Sequence, residues 1–122
     1  VRLSWSRCVA LTAVFATPVA AAADMLPLKR GIYVDSTFAC KAASNANTLS
    51  YWGGSNGINV QKAECTIERL SKSGNSYALH RSCRNITGEG AFKDKLTVKV
   101  LSRVKIAVEG REFRFCGPKA QF

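Results

Sequence analysis

His80 is the only histidine in this 122-residue chain, and a histidine can accept and donate protons near neutral pH. Glu68 is expected on the same face of the neighbouring strand, within diagonal reach, and Arg69 and Arg81 lie nearby in the sequence. A general base, a general acid and arginines for a phosphate are the groups that a small ribonuclease needs. The pairing depends on an inferred register, and a solvated surface histidine is the commoner arrangement. We therefore do not expect an enzyme and keep a secreted ribonuclease as a remote alternative.

The cysteines indicate disulfides rather than a metal site. Cys8 falls in a predicted leader, and an even number remains in a small exported chain: Cys40, Cys65, Cys83 and Cys116. No C-x-x-C pair occurs and there is one histidine, so we expect neither a metal nor a cofactor. Four cysteines permit three connectivities. We favour Cys40–Cys116 with Cys65–Cys83, because an up-and-down strand order in which strands one and seven run the same way would place each pair at one end. Cys40–Cys65 with Cys83–Cys116 is the alternative.

Two aromatic residues, Tyr51 and Trp52, precede the most glycine-rich stretch, Gly53 to Gly57. Aromatic rings beside a turn can stack on sugar or base rings. In so small a domain large aromatics more often supply core area, so we expect Trp52 to fill one end of the core. A phosphate-binding loop is not expected at Gly53–Gly57, because no Lys-Ser/Thr pair follows it.

The first residues have the composition of a signal peptide. Arg2 and Arg7 provide a basic start, the run from Val9 to Ala22 is apolar, and its closing alanines give an A-x-A cleavage site. The run is too short for a transmembrane helix. We therefore expect a signal peptide over residues 1–23 and a single β domain over residues 24–122. The mature chain would have no transmembrane segment and would be periplasmic or secreted.

Three successive strands are predicted between Lys95 and Cys116, where apolar and polar residues alternate. One face of these strands is apolar and is expected to be buried. The opposite face carries five cations, which we call the basic strip: Lys95, Lys99, Arg103, Lys105 and Arg114. We expect the basic strip to be the binding surface.

The spacing of these residues also predicts how the three strands pair. A three-residue turn at Leu101–Arg103 would set Val98 against Ile106. A two-residue turn at Glu109–Gly110 would set Ile106 against Phe113. With both turns in place, every apolar residue of the three strands lies on one face.

Four strands are predicted ahead of this group, over Gly31–Phe38, Thr48–Trp52, Ile58–Leu70 and Asn75–Cys83. A hairpin between the last two would set Ile67 against Leu79. No amphipathic helix of useful length is found. The sequence therefore predicts an all-β fold, a small antiparallel up-and-down barrel or barrel-like sandwich of about seven strands with two disulfides.

The segment from Val104 to Cys116, VKIAVEGREFRFC, resembles in pattern the bacterial envelope proteins of the lysozyme-inhibitor kind. Lys29–Val34 and the four cysteines are similar to small uncharacterised exported proteins of Gram-negative bacteria. The first resemblance implies a periplasmic β-barrel and, as an alternative function, an enzyme inhibitor that acts through a loop. The candidate loops are Gly53–Gly57 and Asn85–Gly90. The conserved loop of that family is not found in this chain, so no inhibitory residue is assigned.

The net charge of the chain indicates which class of partner it would bind. The chain has 18 basic and eight acidic residues, and loss of Arg2 and Arg7 with the leader lowers the net charge from +10 to about +8. A field of this sign attracts anionic partners and repels a cationic lysozyme. We expect a non-enzymatic binding protein whose partner is an anionic envelope polymer or an acidic protein. A nucleic acid is not an expected partner.

Overall fold

The computed structural model describes residues 23–60, 62–88 and 90–119, so the predicted signal peptide lies outside the described residues apart from Ala23. In this part of the chain the structure is all-β, with one turn of 3-10 helix at Cys40–Ala42 and no α-helix. The fold class is confirmed. The strands are β1 (Gly31–Asp35), β2 (Thr48–Tyr51), β3 (Ala63–Ser73), β4 (Ser76–Asn85), β5 (Ala91–Ser102), β6 (Lys105–Val108) and β7 (Arg111–Gly117).

The seven strands form one antiparallel sheet in the order β2-β1-β7-β6-β5-β4-β3, curled into a half-barrel. Antiparallel pairing throughout makes the two edge strands, β2 and β3, run in the same direction. Residues 53–60, the linker segment, run back between them. Ser50 and Asn59 exchange backbone hydrogen bonds of 3.1 and 2.8 Å on the β2 side. On the β3 side Gly57 N donates to Cys65 O at 2.8 Å, so an irregular segment spans the opening of the sheet.

The predicted single strand from Ile58 to Leu70 is wrong, because the chain reverses inside it. Ile58 and Lys62 both have left-handed backbones, with φ of 62° and 54°. Ile58 and Ala63 are both buried although they are five residues apart, a spacing that would put them on opposite faces of one continuous strand. The change of phase in the apolar pattern therefore coincides with the break in the strand.

The β5–β6 pairing differs from the prediction by two residues. Val98 lies opposite Val108 rather than Ile106, because the turn is the two residues Arg103–Val104 and the register shifts again at Leu101, between Val100 and Ser102. A shift of two keeps the same residues facing inward, so the apolar face was predicted correctly although the register was not. Val104, expected on the buried face, is in the turn and is 44% exposed.

The next hairpin has the predicted register, with Ile106 opposite Phe113. Glu109 and Gly110 form its two-residue turn with φ of 51° and 77°. Both values are left-handed, as in the type I′ turn whose twist suits a tight hairpin.

The β3–β4 hairpin contains a β-bulge that the sequence did not predict. Ile67 lies opposite Arg81, not Leu79, and the register shifts between Ile67 and Arg69. Glu68 is the extra residue of the bulge. After the bulge Leu70, rather than Ile67, lies opposite Leu79.

Both favoured disulfides are present, with Cα–Cα distances of 5.5 Å for Cys40–Cys116 and 4.1 Å for Cys65–Cys83. The reason given for the first pair is wrong, since β1 and β7 are antiparallel rather than parallel. Cys40 reaches Cys116 because the chain turns after β1, where Phe38 N donates to Asp35 O at 2.9 Å, and then returns beside β7, where Arg114 Nη2 donates to Phe38 O.

The two ends of the half-barrel differ. Leu26 and Leu28, in the segment before β1, are 1% and 4% exposed and pack into the core at one end, which we call the closed end. Tyr33 Oη donates to Lys29 O at 2.6 Å and holds this segment across that end, and burial raises the pKa of Tyr33 to about 12. At the opposite end, the open end, lie the Glu109–Gly110 turn and the first half of β5.

Candidate binding surfaces

The basic strip lies on the outer side of the sheet, as its alternation predicted. Lys95 and Lys99 are exposed on β5, Arg103 is exposed in the β5–β6 turn, and Lys105 lies directly opposite Arg114. The outward neighbours between the cations are small: Ala78, Thr97 and Ala107. Small side chains therefore separate the cations on this face.

Acidic neighbours compensate only part of the basic strip. Lys105 forms an ion pair of 3.0 Å with Glu112, and Arg114 Nη2 donates to the carbonyl oxygen of Phe38. Within residues 23–60, 62–88 and 90–119, Lys95, Lys99 and Arg103 form no ion pair. The strip therefore keeps three uncompensated positive charges at the β5 end.

A cross-strand row extends this cationic area in a way that sequence reasoning missed. The bulge at Glu68 brings Arg69 opposite His80, and His80 lies opposite Lys95. Arg69 Nη2 is 3.3 Å from His80 Nε2. Without the bulge Arg69 would fall on the inner face, and a bulge leaves no clear mark in alternating residues.

The structure brings together only part of the group proposed for a ribonuclease. Arg69 Nη2 contacts His80 Nε2, whereas the Glu68 carboxylate is 3.2 Å from Lys93 Nζ. Arg81 lies on the opposite face of the sheet and is 4% exposed, so it does not share a surface with His80. Of the two proposed arginines, Arg69 is therefore the one beside His80.

Arg81 is the most deeply buried charge of the described chain. Its Nε and Nη2 donate to the two oxygens of Asp94 at 2.7 and 2.6 Å, and Nη1 donates to the carbonyls of Gly57 and Ile58 at 3.0 and 2.9 Å. The hydrogen bonds from Arg81 hold the pKa of Asp94 below its usual value. One side chain thus joins β4, β5 and the linker segment.

A second carboxylate–arginine pair, Asp35 with Arg111, lies at the open end. Asp35 Oδ1 accepts hydrogen bonds from Thr37 N at 2.9 Å and from Thr37 Oγ1 at 2.8 Å, and Oδ2 accepts from Arg111 at 2.9 and 2.6 Å. These bonds, the one from the Thr37 amide first, lower the pKa of Asp35 to about 2. The Arg111 side chain is still about half exposed.

A cavity of about 300 Å³ opens between these two ion pairs. Its floor is apolar and consists of Leu49, Val60, Leu96, Val108 and Phe113. Its rim is charged and consists of Arg81, Asp94, Lys95, Glu109 and Arg111. Pockets that bind small molecules or side chains combine these features, an apolar interior and a few fixed polar groups.

The aromatic pair divides between core and surface. Tyr51 is 1% exposed and its hydroxyl accepts a hydrogen bond from Leu26 N at 3.3 Å. Trp52 is 45% exposed, so the expectation that it fills the core is wrong. It lines a groove of about 310 Å³ together with Val60 and Ile86.

The two loops proposed for an inhibitor differ in exposure. Gly53–Gly57 lies across the opening of the sheet, where Gly54 N donates to Asp24 Oδ1 at 2.8 Å and Ile67 N donates to Ser55 O at 2.7 Å. In the loop between β4 and β5, Ile86 is 58% exposed. Of the two loops, the β4–β5 loop is therefore the one with a large apolar side chain directed to solvent.

Over the described ranges, no group of three or more histidine, cysteine or acidic side chains is arranged to hold a metal ion. In the same residues no helix is long and apolar enough to cross a membrane. No family model, curated protein or solved structure matches this chain.

Proposed function

We propose that the chain is a non-enzymatic binding protein that is exported to the periplasm or secreted, and that it engages an anionic envelope polymer or an acidic protein through the basic strip. The observation that carries this proposal is a group of three exposed cations on the outer face, Lys95, Lys99 and Arg103, which form no ion pair within the described residues. Cations left uncompensated on one face raise the local concentration of anions and speed their association.

Two further features support the proposal. Two disulfides in a small domain are typical of proteins that fold in an oxidising compartment. The expected net charge of the mature chain, about +8, has the same sign as the strip. Charge on one face and charge overall therefore favour the same class of partner.

The test is charge reversal on the strip. Lys95→Glu/Lys99→Glu should weaken binding to dextran sulfate by about tenfold or more at low salt, measured by titration calorimetry. Lys41→Glu/Lys119→Glu is the matched control, because it makes the same change in net charge at exposed positions outside the strip. Binding by the wild-type protein should also fall steeply as salt rises. An equal loss of affinity in both double variants, or an affinity that does not change with salt concentration, would contradict the proposal.

The second candidate is an enzyme inhibitor, and the exposed Ile86 favours it. An apolar side chain on a loop is a suitable anchor for an enzyme cleft. The positive charge of the domain would favour an acidic enzyme as the target. Salt-insensitive inhibition of one enzyme, lost in Ile86→Asp and kept in Lys95→Glu/Lys99→Glu, would support this candidate over the first.

A secreted ribonuclease is the remaining alternative. Any RNA cleavage by the purified protein should disappear in His80→Ala if His80 is the general base. Cleavage that is unchanged in this variant would remove the hypothesis.

A further inference from the structure

The edge of β5 is unpaired along half of its length. Residues Ala91–Lys99 pair with β4 on one side. On the other side the pairing with β6 begins at Val98 and ends at Ser102, since β6 has only four residues. Residues 91–97 therefore have a sheet neighbour on one side only among the described residues. Unpaired strand edges present free N–H and C=O groups that can pair with another chain.

Hollows lie beside this edge on both faces of the sheet. On the inner side lies the cavity of about 300 Å³ at the open end, and on the outer side lies a depression of about 570 Å³. Both are lined by Lys95, Leu96 and Glu109. An extended chain placed here would continue the line of β6 beyond the Glu109–Gly110 turn.

The side chains of the edge specify what such a chain would contain. Leu96 is part of the apolar floor and is 8% exposed. Lys93, Lys95 and Thr97 are exposed on the outer face. Residues directly opposite each other in an antiparallel pair share a face. The inward side chains of an added strand would therefore meet the apolar floor. Its outward side chains would lie beside Lys95, which has no ion pair among the described residues, and Lys93, which pairs with Glu68 at 3.2 Å.

We propose that an extended segment of an acidic partner protein, in which apolar and acidic residues alternate, adds to the edge of β5 at residues 91–97. Its backbone pairs with the strand, its apolar side chains enter the cavity at the open end, and its acidic side chains lie against Lys93 and Lys95. The inference rests on the proposed function and narrows the anionic partner to a protein strand. Addition of a strand to an exposed sheet edge is a general mode of peptide recognition.

The same residues disfavour a second copy of this chain as the occupant. Two β5 edges placed together would bring Lys93 and Lys95 of each copy beside one another, and Asp94 is charged and directed inward. Lysines and inward charges at an edge are common protections against self-association. An acidic strand converts the same lysines from repulsive to attractive contacts.

The test uses an octapeptide in which valine and glutamate alternate, with two control peptides. One control has the same composition with the four valines and four glutamates in separate blocks. The other has alternate backbone nitrogens methylated, so that one edge cannot form a ladder. The alternating peptide should bind at least about tenfold more tightly than either control, because each control loses part of the ladder or its register.

Two protein variants test where on the protein the peptide binds. Lys95→Glu should weaken binding of the valine–glutamate peptide by about tenfold and strengthen binding of the matching valine–lysine peptide, whereas Lys41→Glu should do neither. Val60→Ser, at a 36% exposed position of the cavity floor, should weaken both peptides without unfolding the protein. In the complex, amide hydrogen exchange should slow within residues 91–97.

The possible outcomes distinguish failure of strand addition from failure of the proposed function. If the block peptide and the methylated peptide bind as well as the alternating one, strand addition is overturned, while salt-dependent binding of dextran sulfate through the basic strip is unaffected. If dextran sulfate and all the glutamate peptides fail to bind, the proposed function itself is wrong. Slowed exchange confined to the β3 edge or to the linker segment would also overturn the site proposed here.

Discussion

Arg81 shows how one buried side chain can organise irregular backbone. The linker segment has no regular partner strand, and two of its carbonyls, those of Gly57 and Ile58, accept hydrogen bonds from the Arg81 guanidinium. A buried carbonyl without a donor is costly, so an arginine is suited to this position. The charge of Arg81 is in turn neutralised by Asp94 at 2.6 Å.

Replacement of Arg81 should therefore destabilise the domain. We expect Arg81→Leu to lower the free energy of unfolding by about 3 kcal/mol, the lower part of the range for breaking a buried pair, because Asp94 keeps some access to water. Arg84→Leu is the matched control on the same strand. Its ion pair with Glu64 is exposed, so a change within about 0.5 kcal/mol is expected. Urea denaturation measures both, and equal losses in the two variants would contradict this account of Arg81.

Asp35 gives the stability of the domain a dependence on acid pH. Its pKa in the folded state is about 2, against 3.8 for the unperturbed group, so the unfolded chain binds more protons between these values. Stability should therefore be lost as the pH falls from about 4 to about 2. Urea midpoints across that interval should fall less in Asp35→Asn than in the wild type. A carboxyl resonance of Asp35 that titrates near pH 4 would disprove the shift.

Individual residues were predicted from the sequence as far as alternation determines them. The outward direction of Lys95 and Lys99 follows from a period of two and is observed. Arg81 was considered as a phosphate-binding group, and its partners were not predicted, because they include the carbonyls of Gly57 and Ile58. Trp52 was misplaced because residue type and size do not tell which of two adjacent aromatics faces inward.

At the scale of elements, the Glu109–Gly110 turn determines where β6 ends and hence how much of β5 is left unpaired. Both turn residues have left-handed backbones, which glycine adopts without strain and other residues adopt at a cost. The turn was predicted from the sequence together with its register. Glycine spacing and apolar alternation agree there, which is the condition under which a hairpin can be predicted.

A pair of glycine variants tests the turn. A Cβ at Gly110 would meet nothing within 4 Å, so Gly110→Ala introduces backbone strain alone and should cost about 1–2 kcal/mol. A Cβ at Gly88 is equally free, but the backbone there is not left-handed, so Gly88→Ala should change stability by less than about 0.5 kcal/mol. Thermal unfolding of the two proteins compares them. Equal transition temperatures would show that the turn is not strained.

Other elements were missed because the sequence pattern is insensitive to them. A shift of two residues in the β5–β6 register leaves the buried face unchanged, so alternation alone cannot distinguish the two registers. The bulge at Glu68 changes the register of β3 within a run that still alternates on both sides of it. The reversal between Ile58 and Ala63 is different, since the odd spacing of these two buried residues breaks the period of two and this break was not recognised.

For the whole molecule, the disulfides compensate for the limited core of a small domain. The Cys65–Cys83 bond joins neighbouring strands, and Cys40–Cys116 encloses nearly the entire sheet, with sequence separations of 18 and 76 residues. The larger loop restricts the unfolded chain more. Both bonds were predicted because few connectivities exist for four cysteines, although the relative direction of β1 and β7 behind the Cys40–Cys116 prediction was wrong.

Removal of either disulfide should lower the free energy of unfolding measurably, and the two losses should differ. From loop length alone, Cys40→Ala/Cys116→Ala should lower the free energy of unfolding by about 4 kcal/mol and Cys65→Ala/Cys83→Ala by about 3 kcal/mol. Since domains of this size are stable by about 5–10 kcal/mol, either loss is a large fraction of the total. Guanidinium denaturation of the two variants tests the order. A greater loss on removing Cys65–Cys83 would show that contacts in the folded state outweigh loop length.

The position of Cys40–Cys116 also determines how the domain responds to mechanical force. If the chain is pulled by residues near its two ends, tension passes from β1 through the disulfide to the end of β7, and strands β2 to β6 lie inside a covalently closed loop whose ends cannot be drawn apart. Under oxidising conditions β1 can be peeled from β2 and β7, and the remaining strands lengthen only after a reductant cleaves the bond. The covalent link thus makes most of the sheet a region that tension on the termini cannot extend.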